Sequence, residues 1–461
     1  MLQINVNNLF PPKTRKILIF TSAFISFICF NLLLHSVNDS SKILFLYLFN
    51  AFIMLLVISY KNSVNKYEIA IFAFFCVQLF AYTPAPDDMD ILVSTSYLLS
   101  YRYGVSSRGL IATIVDFVLN GGFISKYFIW HFIYSSTIFI TFIISVLIGA
   151  IIQNAKDEIK IFILFFSLLY LTCFTSLSAY YTSGNFGRTE IFAFLLVLAI
   201  AFIINKPIIS WFIPLFTLFI LGTHLVQLFF YIPLIIILLL YNAKELSTKN
   251  KQIISILIIT IIVIITVFLL YVSFSRKTFT YQNAAELFAH LKTKTNLEFN
   301  EHLLHMTMFG GLEDHLRGWK NLVNLKYIGN ISILMNVPLI IMFIIFWIKC
   351  IKAETEKINK FIFSLPAVIF IYHSFVFFLF YDFGRWMIMI MNFQFILVFY
   401  FIHIKNKTII SVAQSLNPLI KKYAFFIIIA YFIMITMEPI KQIGPSLRTM
   451  HIIKFLLTVI N

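Results

Sequence analysis

Acidic and arginine side chains gather in three short segments of a chain that is otherwise poor in charge. The segments are Asp87-Asp88-Met89-Asp90 with the nearby Arg102 and Arg108, Asn185-Phe186-Gly187-Arg188-Thr189-Glu190, and Asp382-Phe383-Gly384-Arg385. A carboxylate can take a proton from a hydroxyl group or hold a divalent cation. A guanidinium group binds phosphate oxygens through two parallel hydrogen bonds. The three segments together predict a site that handles a phosphorylated substrate.

Asp87 and Asp88 are the first candidate catalytic residues. They follow Thr83-Pro84-Ala85-Pro86, and because prolines force an extended exit from a helix, we expect the acids at a membrane surface. A carboxylate in that place could act as general base toward a sugar hydroxyl. Two simpler interpretations stay open, namely a solvated acidic loop and the N-cap of the following helix.

The candidate substrate-binding residues are Arg102, Arg108, Arg188, Asp382 and Arg385. Arg108 precedes a glycine that begins an amphipathic segment, where helix N-terminal amides also favour an anion. Arg188 is too close in sequence to Glu190 to share a helix face with it, which favours a partner on another helix or a bound phosphate. Headgroup anchoring by Arg102 and Arg108, and an i,i+3 salt bridge between Asp382 and Arg385, are the simpler alternatives.

His224 is the third candidate catalytic residue. It stands in Gly222-Thr223-His224, the turn between two unusually short apolar segments. Irregular backbone below a membrane surface is tolerated where it lines a cavity or is covered by protein. A histidine there could serve as a base or as a phosphate partner. A buried imidazole bonded to a backbone carbonyl is the alternative.

A metal site has weaker support in the sequence. Glu301-His302-Leu303-Leu304-His305 places two histidines three residues apart beside an acid, but the order differs from the zinc motif HExxH and from its inverse. We interpret this stretch as an amphipathic loop helix. No resident cofactor is expected, with a divalent cation held by Asp87 and Asp88 as the alternative.

The elements that carry these residues are predicted to be membrane spans. The chain is 61% hydrophobic and 12% charged, with a mean hydropathy of +0.93, and these values exclude a soluble globular protein. We predict an all-α, polytopic integral membrane protein with about 13 spans of roughly 20 apolar residues or somewhat fewer. The predicted spans are 17–34, 43–59, 69–82, 127–152, 161–177, 191–204, 208–221, 225–241, 253–274, 331–348, 361–380, 386–404 and 423–437. The segments 208–221 and 225–241 could instead form one long or re-entrant element.

Loop lysines predict the orientation. With the amino terminus in the cytoplasm, lysine falls in every cytoplasmic loop, as the positive-inside rule requires. All three acid–arginine segments then lie on the extracytoplasmic side, together with the two longest loops, 83–126 and 275–330, and their amphipathic helices. The whole chain, 1–461, is interpreted as one membrane domain. The formal charge of +16 is spread over many short loops, which favours membrane lipids over a nucleic acid as partner.

The assembly of Arg102 to Gly109, Gly187-Arg188, His224 and Asp382-Phe383-Gly384-Arg385 resembles O-antigen or capsule polymerases of the Wzy type. More loosely, the chain is similar to the GT-C class of lipid-linked-sugar glycosyltransferases, in which an acidic motif like Asp87-Asp88-Met89-Asp90 follows the first span. Here that motif follows the third span. The resemblance implies a multi-pass enzyme of the bacterial inner membrane that uses an undecaprenyl-phosphate-linked sugar and works with other glycan-assembly proteins.

Two other functions stay open at this point. A phage-type O-antigen glycosyltransferase, which adds a single side-branch sugar, would have nearly the same features. A polysaccharide or lipid transporter would need a charged pathway that continues to the cytoplasmic side. The isolated His373 in a predicted span does not trace such a path, which favours an enzyme over a flippase.

Overall fold

The computed structural model describes residues 4–5, 39–60, 63–173, 175–182, 184–206, 208–244, 248–274, 280–309, 331–379 and 383–436. The predicted first span 17–34, Asp382 and residues 310–330 lie outside the described residues. In the described part, regular structure is helical except for two short strands, β1 (Ile4–Asn5) and β2 (Ser63–Val64), which pair antiparallel with Ile4 opposite Val64.

The α-helices follow one another along the whole described chain. They are α1 Asp39–Tyr60, α2 Lys66–Tyr82, α3 Ile91–Ser96, α4 Gly109–Val118, α5 Lys126–Gln153, α6 Asp157–Thr172, α7 Glu190–Ile203, α8 Ile213–Thr223, α9 Tyr231–Ala243, α10 Thr248–Phe274, α11 Ala284–Lys294, α12 Glu301–Leu304, α13 Ile331–Ala353, α14 Lys357–Leu379, α15 Phe383–His403, α16 Lys407–Lys422 and α17 Ala424–Thr436. Single 3₁₀ turns connect several of them, at Pro86–Asp88, Leu177–Tyr181, Ile209–Phe212 and Leu225–Leu228, and a π turn spans His305–Phe309.

The described helices include six that are long and apolar enough to cross a membrane. They are Lys126–Gln153, Asp157–Tyr181, Leu225–Ala243, Lys251–Phe274, Asn336–Ala353 and Arg385–His403. An apolar helix of this length satisfies its own backbone hydrogen bonds and exposes side chains that favour lipid over water. The chain therefore has the architecture of a helical membrane protein, as the composition predicts.

The region 208–241 contains two short helices, α8 and α9. His224 interrupts them with an extended backbone, at φ −167° and ψ 123°. Since an extended residue cannot continue the i→i−4 hydrogen-bond ladder, α8 ends there. The turn carrying His224 is therefore a fixed, non-helical part of the backbone, as the sequence indicates.

Helix α15 lies at the centre of the bundle. Its apolar stretch is 94% buried inside the protein, whereas that of α10 is 17% buried. The main hydrophobic core surrounds α15 with aromatic side chains from α6, α13 and α14, among them Phe166, Phe343 and Phe363. Arg385, in the first turn of α15, is 4% exposed and is therefore held inside the protein.

A second, smaller core lies between the two long connections of the chain. Val93, Tyr97 and Leu99, at and just beyond α3, pack with Leu287 and Leu291 of α11. The backbone bridge between Ile124 and Thr295 joins the same two connections. The segments 83–126 and 280–309 thus form one packed layer, which we call the loop layer, over one end of the bundle.

Close packing of α2 on α5 generates a stability prediction. A Cβ atom at Gly149 of α5 would lie 2.4 Å from Cγ of Glu68 and 2.8 Å from its backbone nitrogen. Because backbone cannot move aside cheaply, we expect Gly149→Val to lower the free energy of unfolding by about 1–3 kcal/mol. Thermal unfolding in detergent measures this change. Ala150→Val, at the half-buried neighbouring position, is the control. Equal melting temperatures for the two variants would contradict the close contact.

Candidate functional site

Five parts of the chain meet around the buried carboxylate of Glu190. They are the residue before α3, the residue before α4, the start of α7 with the residues that precede it, the turn after α8, and the first turn of α15. We call the group the Glu190 cluster, and it consists of Asp90, Arg108, Arg188, Glu190, His224 and Arg385.

Glu190 is the centre of the cluster. Its side chain is 1% exposed, and Oε1 lies 3.3 Å from Nη1 of Arg385 and 4.0 Å from Nε2 of His224. Neither carboxylate oxygen accepts a hydrogen bond from another residue in the described part of the chain. Leaving a buried charged acceptor without a hydrogen bond costs on the order of 1–3 kcal/mol or more, so this arrangement is expensive and calls for an explanation.

Arg188 is held from two directions. Its Nε donates to the carbonyl oxygen of Gly184 at 2.9 Å, and its Nη2 lies 3.9 Å from Oδ1 of Asp90. Asp90 is also the N-cap of α3, where Oδ1 accepts the backbone N–H groups of Leu92 and Val93. Asp90, at the start of another helix, is therefore a partner of Arg188, which is one of the two alternatives that the sequence offers. The acid that caps the following helix is Asp90 and not Asp87 or Asp88.

Backbone contacts fix the loops that carry the arginines. The N–H of Leu225 donates to the carbonyl oxygen of Ser107 at 2.7 Å, so the turn after His224 is tied to the residue before Arg108. The hydroxyl of Tyr97 donates to the carbonyl oxygen of Gly187 at 2.9 Å. These bonds join α3, α4, α7 and α8 at the same end of the bundle.

Gly187 allows the close approach at this point. Its φ is +89°, in the region that favours glycine, and a Cβ there would lie 2.6 Å from side-chain atoms of Val93 and Ile133. Glycine is therefore required for both backbone conformation and space. The segment before Arg188 can lie against α3 and α5 only with this residue.

The imidazole of His224 has a defined tautomer. Its Nδ1 accepts the backbone N–H of Val226 at 3.0 Å. Since an accepting nitrogen carries no proton, the neutral ring carries its proton on Nε2, the atom that faces Glu190. His224 thus presents a hydrogen-bond donor to the cluster.

The protonation states of Glu190 and His224, which lie outside the six candidate spans, follow from burial and from the three cluster arginines. Burial raises the pKa of Glu190, but the arginine charges outweigh burial and hold its pKa below the ordinary value. Burial and the same arginines lower the pKa of His224 well below 6.5. Near pH 7 the cluster therefore contains an ionised Glu190 and a neutral His224.

Aromatic rings support Arg385. Its guanidinium carbon lies 4.5 Å from the ring centroid of Trp386, within the range of a cation–π interaction. Trp386 stacks on Phe230, with centroids 5.1 Å apart and an interplanar angle of 11°. The stack orients Arg385 toward Glu190 from the first turn of α15.

Asp87 and Asp88 lie at the periphery of the cluster, in the 3₁₀ turn before Asp90. Asp87 is 70% exposed and forms an ion pair with Lys126, and Asp88 is exposed. No group of three or more His, Cys, Asp or Glu side chains close enough to hold a metal ion is found among the described residues. His302 and His305 lie on α12 and the π turn that follows it.

Arg102 has different neighbours from Arg108. Arg102 is exposed in the loop layer, and its charge acts on Tyr103, Tyr281 and His290. The charge of Arg108 acts on Glu190 and His224 instead. The structure thus separates two arginines that the sequence groups together.

An apolar crevice lies among α5, α7 and α15, with Tyr170 of α6 also in its lining. Phe194 and Leu198 line it from α7, and Phe395 and Phe399 line it from α15. Phe194 is about one helical turn from Glu190 along α7. The charged cluster and the apolar crevice therefore share two helices.

Sequence reasoning chose four members of the cluster as candidate site residues: Arg108, Arg188, His224 and Arg385. It did not choose Glu190 or Asp90, although both stand in the acid–arginine segments. The signal that could have found Glu190 is a carboxylate at the first position of an apolar helix, since burial there requires cationic partners. Which arginines would supply the charge depends on contacts distant in sequence.

The neutral state of His224 generates a prediction for the pH dependence of stability. Unfolded, this histidine takes up a proton as the pH falls below 6.5; folded, it stays neutral. The native state is therefore destabilised below pH 6.5, by up to about 1.4 kcal/mol per pH unit. Unfolding in detergent at pH 7.5, 6.5 and 5.5 should show a shallower decline for His224→Gln than for wild type. The exposed His302→Gln is the control, and an unchanged slope in His224→Gln would contradict this account.

Comparison with known proteins adds no relative: no family model, no curated protein and no solved structure matches this chain. The geometry of the Glu190 cluster is therefore the main indication of function.

Proposed function

We propose that the chain is a membrane glycosyltransferase that moves a sugar from a polyprenyl-phosphate carrier to a glycan acceptor, as a polymerase of O-antigen or capsule does. The observation that carries the proposal is the buried Glu190 cluster, in which three arginines converge at one end of the bundle. Buried charge in a membrane protein is costly and marks functional sites.

The charge balance of the cluster favours an anionic substrate. Arg108, Arg188 and Arg385 supply three positive charges, Glu190 and Asp90 supply two negative charges, and the neutral His224 supplies none. The difference is one positive charge, in a site where low polarity strengthens electrostatic attraction. Guanidinium groups bind phosphate bidentately and keep their charge when buried, so a lipid phosphate or diphosphate fits this site.

The same groups suit the chemistry of the transfer. When the anomeric carbon leaves its carrier, negative charge develops on the lipid phosphate. Donors already oriented before the reaction stabilise such charge most effectively, and the cluster offers arginine N–H groups and the Nε2–H of His224. The donor tautomer of His224 supports its role as a phosphate partner over a role as base.

The apolar crevice supports a lipid-linked donor. Its lining on α7 starts at Phe194, about one helical turn from Glu190, and on α15 it starts at Phe395, ten residues after Arg385. A polyprenyl chain is apolar and continuous with its phosphate, so a carrier bound at the arginines would extend along α7 and α15. Burial of apolar surface there contributes roughly 25 cal/mol per Å².

The finer topology is part of the proposal. The chain would cross a bacterial inner membrane about 13 times, with its amino terminus in the cytoplasm. The Glu190 cluster and the loop layer would then lie on the extracytoplasmic side. The partners would be the polyprenyl-linked glycan, membrane lipids and other glycan-assembly proteins. The predicted site also includes Asp87, Asp88, Arg102 and Asp382. The reaction is proposed to be independent of metal, and a divalent cation held by Asp87 and Asp88 is the alternative.

Deletion of the gene tests the function directly. For a polymerase, gel analysis of surface glycan should show a single repeat unit on the lipid anchor in place of the ladder. A side-branch transferase would leave the ladder but change its sugar composition. An unchanged glycan after deletion would contradict both activities.

The phosphate role of the arginines predicts a loss of binding. Arg108→Met and Arg385→Lys should each weaken binding of undecaprenyl phosphate to the detergent-solubilised protein by about tenfold or more, since each removes a charge-assisted or forked contact. Lys292→Met, which removes one charge from the exposed surface of α11, is the matched control. Wild-type affinity in both arginine variants would contradict the phosphate site.

A further inference from the structure

We infer that Glu190 is the catalytic base, the group that takes the proton of the acceptor hydroxyl. The inference rests on the proposed glycosyl transfer and assigns a role in it to a residue that the sequence analysis did not choose. It is carried by the geometry of the carboxylate, namely its deep burial, its open hydrogen-bonding capacity and its position at the centre of the arginines.

Glu190 has acceptor capacity that the described part of the protein does not use. Both carboxylate oxygens are buried, and neither accepts a hydrogen bond from another described residue. A second buried glutamate shows the contrast. Glu68, 3% exposed, accepts hydrogen bonds from the side chain and backbone N–H of Asn65 in a capping box at the start of α2. A substrate hydroxyl would give Glu190 the donor that Glu68 receives from its own helix.

The other candidate bases are less suitably placed. Asp90 is 29% exposed and its Oδ1 caps α3, and Asp87 pairs with Lys126 at the surface. His224 turns a protonated nitrogen toward the cluster. Glu190 is the deeply buried carboxylate of the cluster, and its Oε1 lies 3.3 Å from Arg385.

The exposure of the cluster side chains indicates the side from which an acceptor sugar would approach Glu190. Exposure of the side chains increases from 1% at Glu190 to 9% at His224 and 29% at Asp90. The cluster is therefore most open on the side of Asp90 and the loop layer. An acceptor sugar would enter from that side, while the apolar carrier lies along α7 and α15.

The proton and electron pairs balance in this scheme. The acceptor oxygen forms a bond to the anomeric carbon, and the bond from that carbon to the phosphate oxygen breaks, with its electron pair leaving on the lipid phosphate. The hydroxyl proton passes to Glu190. The protonated Glu190 then gives the proton to the departing phosphate, and the carboxylate is regenerated beside the arginines.

Three variants test this role: Glu190→Gln, Glu190→Asp and, as matched control, Glu68→Gln, which replaces a buried glutamate at another helix start and keeps a residue suited to its capping box. Each is expressed in the deletion strain. Surface glycan reports transfer, and undecaprenyl phosphate is the binding probe for the solubilised protein. We expect Glu190→Gln to bind the probe at least as tightly as wild type and to lose transfer by about 100-fold or more. Glu68→Gln should retain both.

Glu190→Asp separates catalysis from ion pairing. It keeps the charge beside Arg385 but withdraws the carboxylate by one methylene group, so we expect normal abundance and probe binding with transfer reduced about tenfold or more. Transfer close to wild type in Glu190→Gln overturns the assignment, since an amide cannot take the proton. Weakened probe binding with an unchanged transfer rate at saturating donor also overturns it, since that result indicates a purely structural ion pair.

Failure of this inference can be distinguished from failure of the proposed function. An active Glu190→Gln, together with inactive Arg108→Met and Arg385→Lys, removes Glu190 as base and leaves the lipid-phosphate site in place. Wild-type probe binding and glycan in both arginine variants removes the site itself and the base with it.

Discussion

The burial of Glu190 among arginines is the interaction on which the rest of the cluster depends. An ionised carboxylate at 1% exposure is stable only with compensating positive charge, because desolvation of a single ion costs several kcal/mol. The three arginines would in turn repel one another without an anion between them, either this carboxylate or a bound phosphate. Mutual dependence therefore fixes the relative positions of α4, α7 and α15 at one end of the bundle, and it leaves a site with excess positive charge.

The bundle and the loop layer have different parts in building this site. The bundle brings Arg385 inside the protein on α15, whose apolar stretch is 94% buried. The loop layer supplies Arg108 and Asp90 from segments that cross the end of the helices. Hydrogen bonds from Leu225 to Ser107 and from Tyr97 to Gly187 connect the bundle to the loop layer. A lipid-linked substrate would need both, since its tail is apolar and its phosphate is charged.

Sequence patterns predicted much of the fold but only part of the site. Long apolar segments predicted helices such as α5 and α15, because helix length and lipid solubility are local properties. The interruption at His224 was also readable from two short segments around Gly222-Thr223-His224. In contrast, Arg102 and Arg108 looked equivalent, and the structure gives them different neighbours. Similarly, Asp90 resembled Asp87, but one caps α3 and the other pairs with Lys126.

The sequence by itself determined the chemical class of the chain: a helical membrane protein whose sparse acids and arginines stand at the ends of apolar segments. Only the tertiary structure decided which of those charges meet. Glu190 and Arg385 are far apart in sequence, and their 3.3 Å contact arises because helix packing brings the first turns of α7 and α15 together. Electrostatic pairing over such separations depends on the distances between helices, which no local pattern encodes.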